Sequence, residues 1–281
     1  MTDKEGLVIV PISNFHSNTE IIKLNDSLCI RRTRAFELEE LMKRSVDYYV
    51  NLKQALTDVE FVIEKKVISR GGKKLDWVDW FSWRENSTNM QNIVLTLRLL
   101  KEGYIDLKTA FFVSSNSFYI SNTAPLYYDY EEPFVLSTEN SEDVVRLWNK
   151  LQNVEKENLS LKFSLDQFSK SFNEQYAENG IVDLMTAFES VVFSKEKNAP
   201  RPYGKVIGIA IGMLLGRSRT ERGKIRDELE DAYSLRNKIV HGHLRDIDTI
   251  DTVYVIDEVW ASKIREYLRR TLKILLEEVK T

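Results

Sequence analysis

The chain has 281 residues, a formal net charge of -3 and 43% hydrophobic residues; this suggests two domains, or one large one, with packed cores, and excludes a disordered chain or a globally basic nucleic-acid coat. The one cysteine, Cys29, excludes an intramolecular disulfide and a cysteine-rich zinc site, and fits a reducing compartment. Met1-Thr-Asp-Lys-Glu-Gly lacks the apolar core of a signal peptide, and the longest apolar run, Val206 to Gly216, is too short to span a bilayer, so the expected setting is cytoplasmic with no membrane partner.

The first half mixes short β-rich runs with a few helices. Leu7 to Val10 (ending at Pro11), Leu28 to Arg32, Val59 to Ile63 and Thr109 to Val113 read as strands: they are β-branched or aromatic and flanked by polar segments. Helices are expected from about Phe36 to Leu52, from an N-cap at Ser87 or Thr88 to a stop at Gly103, and from Asn140-Ser141, where Glu142 and Asp143 suit the positive helix end. Trp77, Trp80, Phe81 and Trp83 cluster here and read chiefly as a core edge, with stacking on bases or sugars as the other use.

After the polar stretch Asn153 to Asn158, strand signals nearly vanish. Leu161, Leu165, Phe168, Phe172 and Tyr176 keep helical spacing, and Ile181, Leu184, Phe188 and Val191 form the next stripe after a break at Asn179-Gly180. Pro200 and Pro202 mark a turn and a new start. Gly204, Gly208, Gly212 and Gly216 recur every four residues. On a helix they form one groove without side chains, suited to tight packing inside the bundle or else at a dimer interface; a strand over Lys205 to Leu215 is the alternative. The next helix runs from about Thr220 to His241, with Gly242 where a left-handed cap belongs. The last, about Ile256 to Val279, carries Val259, Trp260, Ile264, Leu268, Leu272 and Leu275. The expected class is α+β: a mixed α/β domain over residues 1–157, then an all-α bundle of about five helices over 158–281.

Arg236-Asn237-Lys238-Ile239-Val240-His241-Gly242 is the stretch that points to chemistry. Arginine is planar, always charged and matched to phosphate oxygens, and histidine is the side chain best placed to move a proton near neutral pH. Ile225, Leu229, Ala232, Leu235 and Ile239 make one apolar stripe, and at about 100° per residue Arg236 falls on its edge. A guanidinium there must snorkel or find a partner; the alternative to a catalytic role is that Arg236 simply pairs with Glu189 or Asp183 and that His241 is a helix C-cap. Tyr233, Asn237 and His241 form one row at four-residue spacing. Arg236 and His241, five apart, point about 140° away from each other, so one copy does not aim both at a single phosphate. Asp183 and Glu189 do not share a face and are not an acid/base pair.

Glu228-Leu-Glu-Asp-Ala-Tyr-Ser-Leu-Arg-Asn-Lys-Ile-Val-His-Gly242 resembles the signature helix of the HEPN superfamily, helical domains found in many prokaryotic ribonucleases and toxins, whose hallmark is Arg-x4-6-His with a polar residue after the arginine. Ala187-Phe-Glu189, within Ile181 to Phe193, resembles the Apea-like branch. The resemblance covers about residues 160–280. It implies a helical bundle that dimerises so that two signature helices share a cleft. It also implies metal-independent cutting of RNA to a 2′,3′-cyclic phosphate and a 5′-hydroxyl.

The expected catalytic residues are therefore Arg236 and His241, supported by Asn237, Tyr233 and Glu189, with neither metal nor cofactor. Residues 200–245 hold ten Lys/Arg against five Asp/Glu. Lys238, Arg217, Arg219 and Arg222 are the expected RNA contacts, with Lys224 adding charge near the cleft; a solvated turn is the other reading. His241-Gly-His243 has no nearby cysteine to complete a metal site, and His16 has no evident partner. The expected function is a HEPN-type endoribonuclease in stress response or anti-phage defence. Its partners would be RNA, a second copy and a regulatory protein, with the N-terminal domain sensing a trigger, selecting a target or restraining the activity. The alternatives are a non-catalytic RNA- or nucleotide-binding and dimerisation module and a structural interaction protein.

Overall fold

The computed structural model describes residues 4–44, 56, 58–69, 83–107, 109–114, 118–121, 133–174, 176–194, 201–242 and 258–279. The chain divides into two compact units, Met1–Asn149 and Lys150–Thr281. Sheet dominates the first and helix the second, which places the protein in the α+β class. Among the described residues no helix is long and apolar enough to cross a membrane.

In the first unit, β1 (Lys4–Ser13), β3 (Ile21–Lys23), β4 (Leu28–Arg32), β5 (Phe61–Ser69), β7 (Ala110–Ser114) and β8 (Phe118–Ser121) form a sheet in the order β3-β4-β5-β1-β7-β8, with β6 (Asp106–Leu107) also beside β1. Its pairings are antiparallel. β2 (Phe15–Ser17) pairs in parallel with β9 (Phe134–Leu136).

The expectation that β1 stops at Pro11 is overturned: Pro11 lies inside the strand, opposite Val62 of β5. The reason lies on the other edge, where β7 pairs with Gly6 to Ile9 and β6 with Ile12 and Ser13. Pro11 falls in the gap between them, the kind of ladder break where a residue without an N–H is tolerated. Ile9, Val62 and Phe111 pack against Leu41 of the short helix α1 (Glu37–Lys43). The remainder of the helix expected to reach Leu52 lies outside the described residues, as do the side chains of the tryptophan cluster. Helix α2 (Trp83–Leu100) begins before the expected cap at Ser87 or Thr88.

Helix α3 (Ser141–Glu157) starts where Glu142 and Asp143 meet the positive end and crosses the boundary between the units. The second unit then holds α4 (Leu159–Lys170), α5 (Ala177–Val192), α6 (Tyr203–Leu215), α7 (Arg219–Val240) and α8 (Glu258–Glu277). Asn158 caps α4, its Oδ1 accepting from the Leu161 N–H at 3.0 Å. The break between α4 and α5 comes earlier than expected, at Ser171 to Tyr176, and Gly180 lies inside α5. There its missing Cβ leaves room for the Ser171 carbonyl, which a Cβ would meet at 3.4 Å. Phe172 and Tyr176 therefore lie in the turn, although both fit the α4 spacing.

The four-residue glycine repeat packs within the bundle, on a helix and not a strand. A Cβ on Gly208 would lie 2.7 Å from the Arg226 carbonyl, and one on Gly212 2.8 Å from the Arg222 carbonyl, both backbone atoms of α7. Close contact along two helices offsets a propensity cost of about 1 kcal/mol per glycine. At the start of α7, Ser218 Oγ accepts from the Glu221 N–H at 3.1 Å and Glu221 accepts from the Arg217 N–H at 2.8 Å, a variant of the capping box. Ile225, Leu229 and Ala232 bury the inner face of α7, and Ala261, Ile264, Leu268 and Leu272 that of α8, whereas Val259 is exposed.

Candidate functional site

The C-terminal half of α7 and the end of α5 bring four of the expected residues together. Tyr233 donates its hydroxyl to Glu189 Oε1 at 2.7 Å. Glu189 Oε2 lies 3.6 Å from Arg236 Nη2, and the Arg236 guanidinium carbon sits 5.6 Å from the Tyr233 ring centre. Asn237 Oδ1 accepts from Arg236 Nη1 at 3.1 Å. Of the two candidate carboxylates, Glu189 is thus the arginine's partner; Asp183 takes Lys170 instead, at 2.9 Å.

Burial, joined by the hydrogen bond and charge of Glu189, holds the Tyr233 hydroxyl well above the usual phenol range. Tyr233 is therefore a fixed donor and not a proton acceptor at neutral pH. Arg236 is less fully committed. Its side chain and that of Glu189 are 21% and 24% exposed, the ion pair is long, and the buried Nε has no hydrogen-bond partner. The unpartnered Nε is itself buried, so an added phosphate oxygen would accept from the part of the guanidinium that remains exposed.

His241 follows the last residue of α7 as its C-cap, exposed, its N–H donating to the Asn237 carbonyl at 3.0 Å. Gly242 adopts φ 73°, the left-handed cap its position suggested. Arg236 bonds inward to Glu189, and His241 stands at the exposed helix end. His243 lies outside the described residues.

The basic residues divide in two. Lys238 is exposed, two residues beyond Arg236 and about 200° around α7 from it. Arg217, Arg219 and Arg222 flank the first turn of α7, about 25 Å from Arg236 at ~1.5 Å rise per residue. Within one copy the length of α7 thus holds these arginines apart from the Arg236 cluster. Arg222 is also engaged: its Nε donates to the Gly216 carbonyl at 3.0 Å. Among the described residues no three His, Cys, Asp or Glu come together in a way that could hold a metal.

Two aromatic residues not singled out in the sequence join the neighbourhood. Tyr203, the first residue of α6, stands edge-on to Tyr233 at 6.3 Å, and Phe193, the C-cap of α5, lies 5.3 Å from Tyr203. The only sequence signal for Tyr203 is its place after the Pro200/Pro202 turn. No family model, curated protein or solved structure matches this chain.

Proposed function

We propose that the protein is a metal-independent endoribonuclease of HEPN type, acting as a homodimer on RNA. The observation that carries this reading is the half-satisfied Arg236 guanidinium, held by Glu189 and Tyr233 five residues before an exposed His241. Arg236 binds the scissile phosphate and stabilises charge on the pentavalent phosphorus. One histidine takes the ribose 2′-hydroxyl proton and the 2′-oxygen attacks phosphorus. The P–O5′ bond breaks, and the partner's histidine gives a proton to the leaving 5′-oxygen. The products are a 2′,3′-cyclic phosphate and a 5′-hydroxyl, and DNA, lacking the 2′-hydroxyl, resists. A cellular role in stress response or anti-phage defence suits such an activity.

The second copy is part of the proposal because Arg236 and His241 diverge within one chain. An apolar row on the open side of α6 supports it: Ile209, Met213 and Leu214 are 48%, 60% and 42% exposed. The same divergence favours one further reading, a non-catalytic RNA- or nucleotide-binding and dimerisation module. Incubation with end-labelled RNA in EDTA separates the two. The enzyme reading expects cyclic-phosphate products from the unaltered protein and a loss of about 10²- to 10⁴-fold in His241→Ala and Arg236→Ala. RNA retained by all three proteins and cut by none supports the module.

A further inference from the structure

The aromatic residues beside Arg236 are arranged as a surface a base would use. Three helix segments meet there: the end of α5 with Phe193, the start of α6 with Tyr203, and α7 with Tyr233. The contact is fixed by Gly204, where a Cβ would lie 2.9 Å from the Tyr233 Cβ, so the start of α6 is pressed onto Tyr233. Tyr233 is buried and committed to Glu189, whereas Tyr203 and Phe193 are only partly buried. Over the Tyr203 ring lies the exposed Arg201, its guanidinium carbon 5.7 Å from the ring centre. Tyr233 is shared by both sets of contacts, touching Tyr203 at 6.3 Å and Arg236 at 5.6 Å.

We propose that Tyr203, with Phe193 behind it and Arg201 over it, is a nucleobase-stacking subsite for single-stranded RNA, next to the phosphate held by Arg236. This rests on the functional reading above and deepens it by naming what holds the base. Every base has a π-face, so a ring paired with a guanidinium binds it without selecting sequence. With carbon contact distances near ~3.5 Å on each face, a base enters between Arg201 and Tyr203 once the exposed guanidinium moves to about 7 Å above the ring. Double-stranded RNA keeps its bases stacked and offers none to the slot, so the substrate class is single-stranded or looped RNA.

The test uses the full chain and a short fluorescent single-stranded 2′-O-methyl RNA, which has no free 2′-hydroxyl and is not cut. A second probe is the same backbone with abasic positions. Tyr203→Leu is expected to weaken binding of the base-bearing probe about tenfold, leave the abasic probe unchanged and keep the salt dependence. Tyr203→Phe, which keeps the ring, is expected to bind like the unaltered protein. Equal binding of the base-bearing probe by Tyr203→Leu and the unaltered protein overturns the subsite and leaves the phosphate-binding role of Arg236 standing. Equal weakening of both probes by Tyr203→Leu also overturns it, since the ring then serves folding. If Tyr203→Leu behaves as expected but Arg236→Ala binds normally, the subsite stands and the reading of Arg236 falls. An unaltered protein that binds neither probe overturns both.

Discussion

Arg31 in the first unit and Arg236 in the second are both partly sequestered arginines facing carboxylates, yet they are satisfied to different degrees. Arg31 is saturated. Its Nε donates to Glu64 at 2.7 Å, its two terminal nitrogens take both Glu37 oxygens at 2.9 and 2.7 Å, and the Arg32 carbonyl accepts as well. Arg236 has one long carboxylate contact, one amide and a buried Nε with no partner. A saturated guanidinium fastens β4, β5 and α1 together and has nothing left to offer. A half-filled one holds its place and keeps a donor for a ligand. The contrast teaches that burial alone does not mark a functional arginine; unused donors beside an open face do.

The largest effect expected from this comparison is on folding. Arg31→Met leaves the buried Glu37 and Glu64 with only the exposed Arg34, 3.1 Å from Glu64 and 4.0 Å from Glu37, as their cation, and should cost about 3 kcal/mol in denaturant unfolding. Arg236→Met, at a partly exposed and long ion pair, should cost less than about 1 kcal/mol. Comparable losses at both positions would erase the distinction between them. Next in size is Gly208→Ala. Its added Cβ strikes the Arg226 carbonyl, so overpacking of about 1–3 kcal/mol outweighs a helix-propensity gain of about 1 kcal/mol. A stabilised Gly208→Ala protein would show that α6 and α7 are not held at backbone contact.

The smallest expected effect is on pH dependence, where the two units should respond in opposite directions. Burial opposes ionisation of Glu37, but hydrogen bonds from Arg31 and the Arg34 backbone, with both positive charges, hold its carboxyl below the usual range. Its contribution is therefore complete above the unfolded carboxylate value, near ~4.3, and is lost as pH falls through the lower folded value. Burial raises the Asp183 carboxyl despite its bond to Lys170. Ionised Asp183 thus weakens the fold at neutral pH, and that penalty is relieved as pH falls through its raised value. Amide exchange followed downward from neutral pH should show α5 gaining relative protection first, then β4 and β5 losing it. The reverse order would mean that the two carboxyls are misjudged.

The sequence made the architecture legible through periodicity. Alternation and β-branching located β4, β5 and β7, and the 3.6-residue stripes located α4, α5, α7 and α8. It failed where tertiary contacts override local signals. Gly180 looked like a helix break but makes room for the Ser171 carbonyl, and Pro11 looked like a strand end but sits in a gap between two neighbouring strands. The glycine repeat left helix and strand both open, because spacing alone does not say what fills the groove. At the candidate site, the edge position of Arg236 predicted a carboxylate partner and Ala187-Phe-Glu189 supplied it. Tyr203 was not legible, because its contact with Tyr233 joins residues thirty positions apart. The distance from Arg219 to Arg236 was implicit in the helix length, although nearness in sequence composition obscured it.

The most direct test of the account is the salt dependence of single-stranded RNA binding by the unaltered protein and by Arg236→Ala. If Arg236 holds a backbone phosphate, Arg236→Ala should bind more weakly, and its slope of log affinity against log salt should be shallower by about 0.7. Identical affinity and identical slope would contradict the account, because Arg236 would then be touching no phosphate.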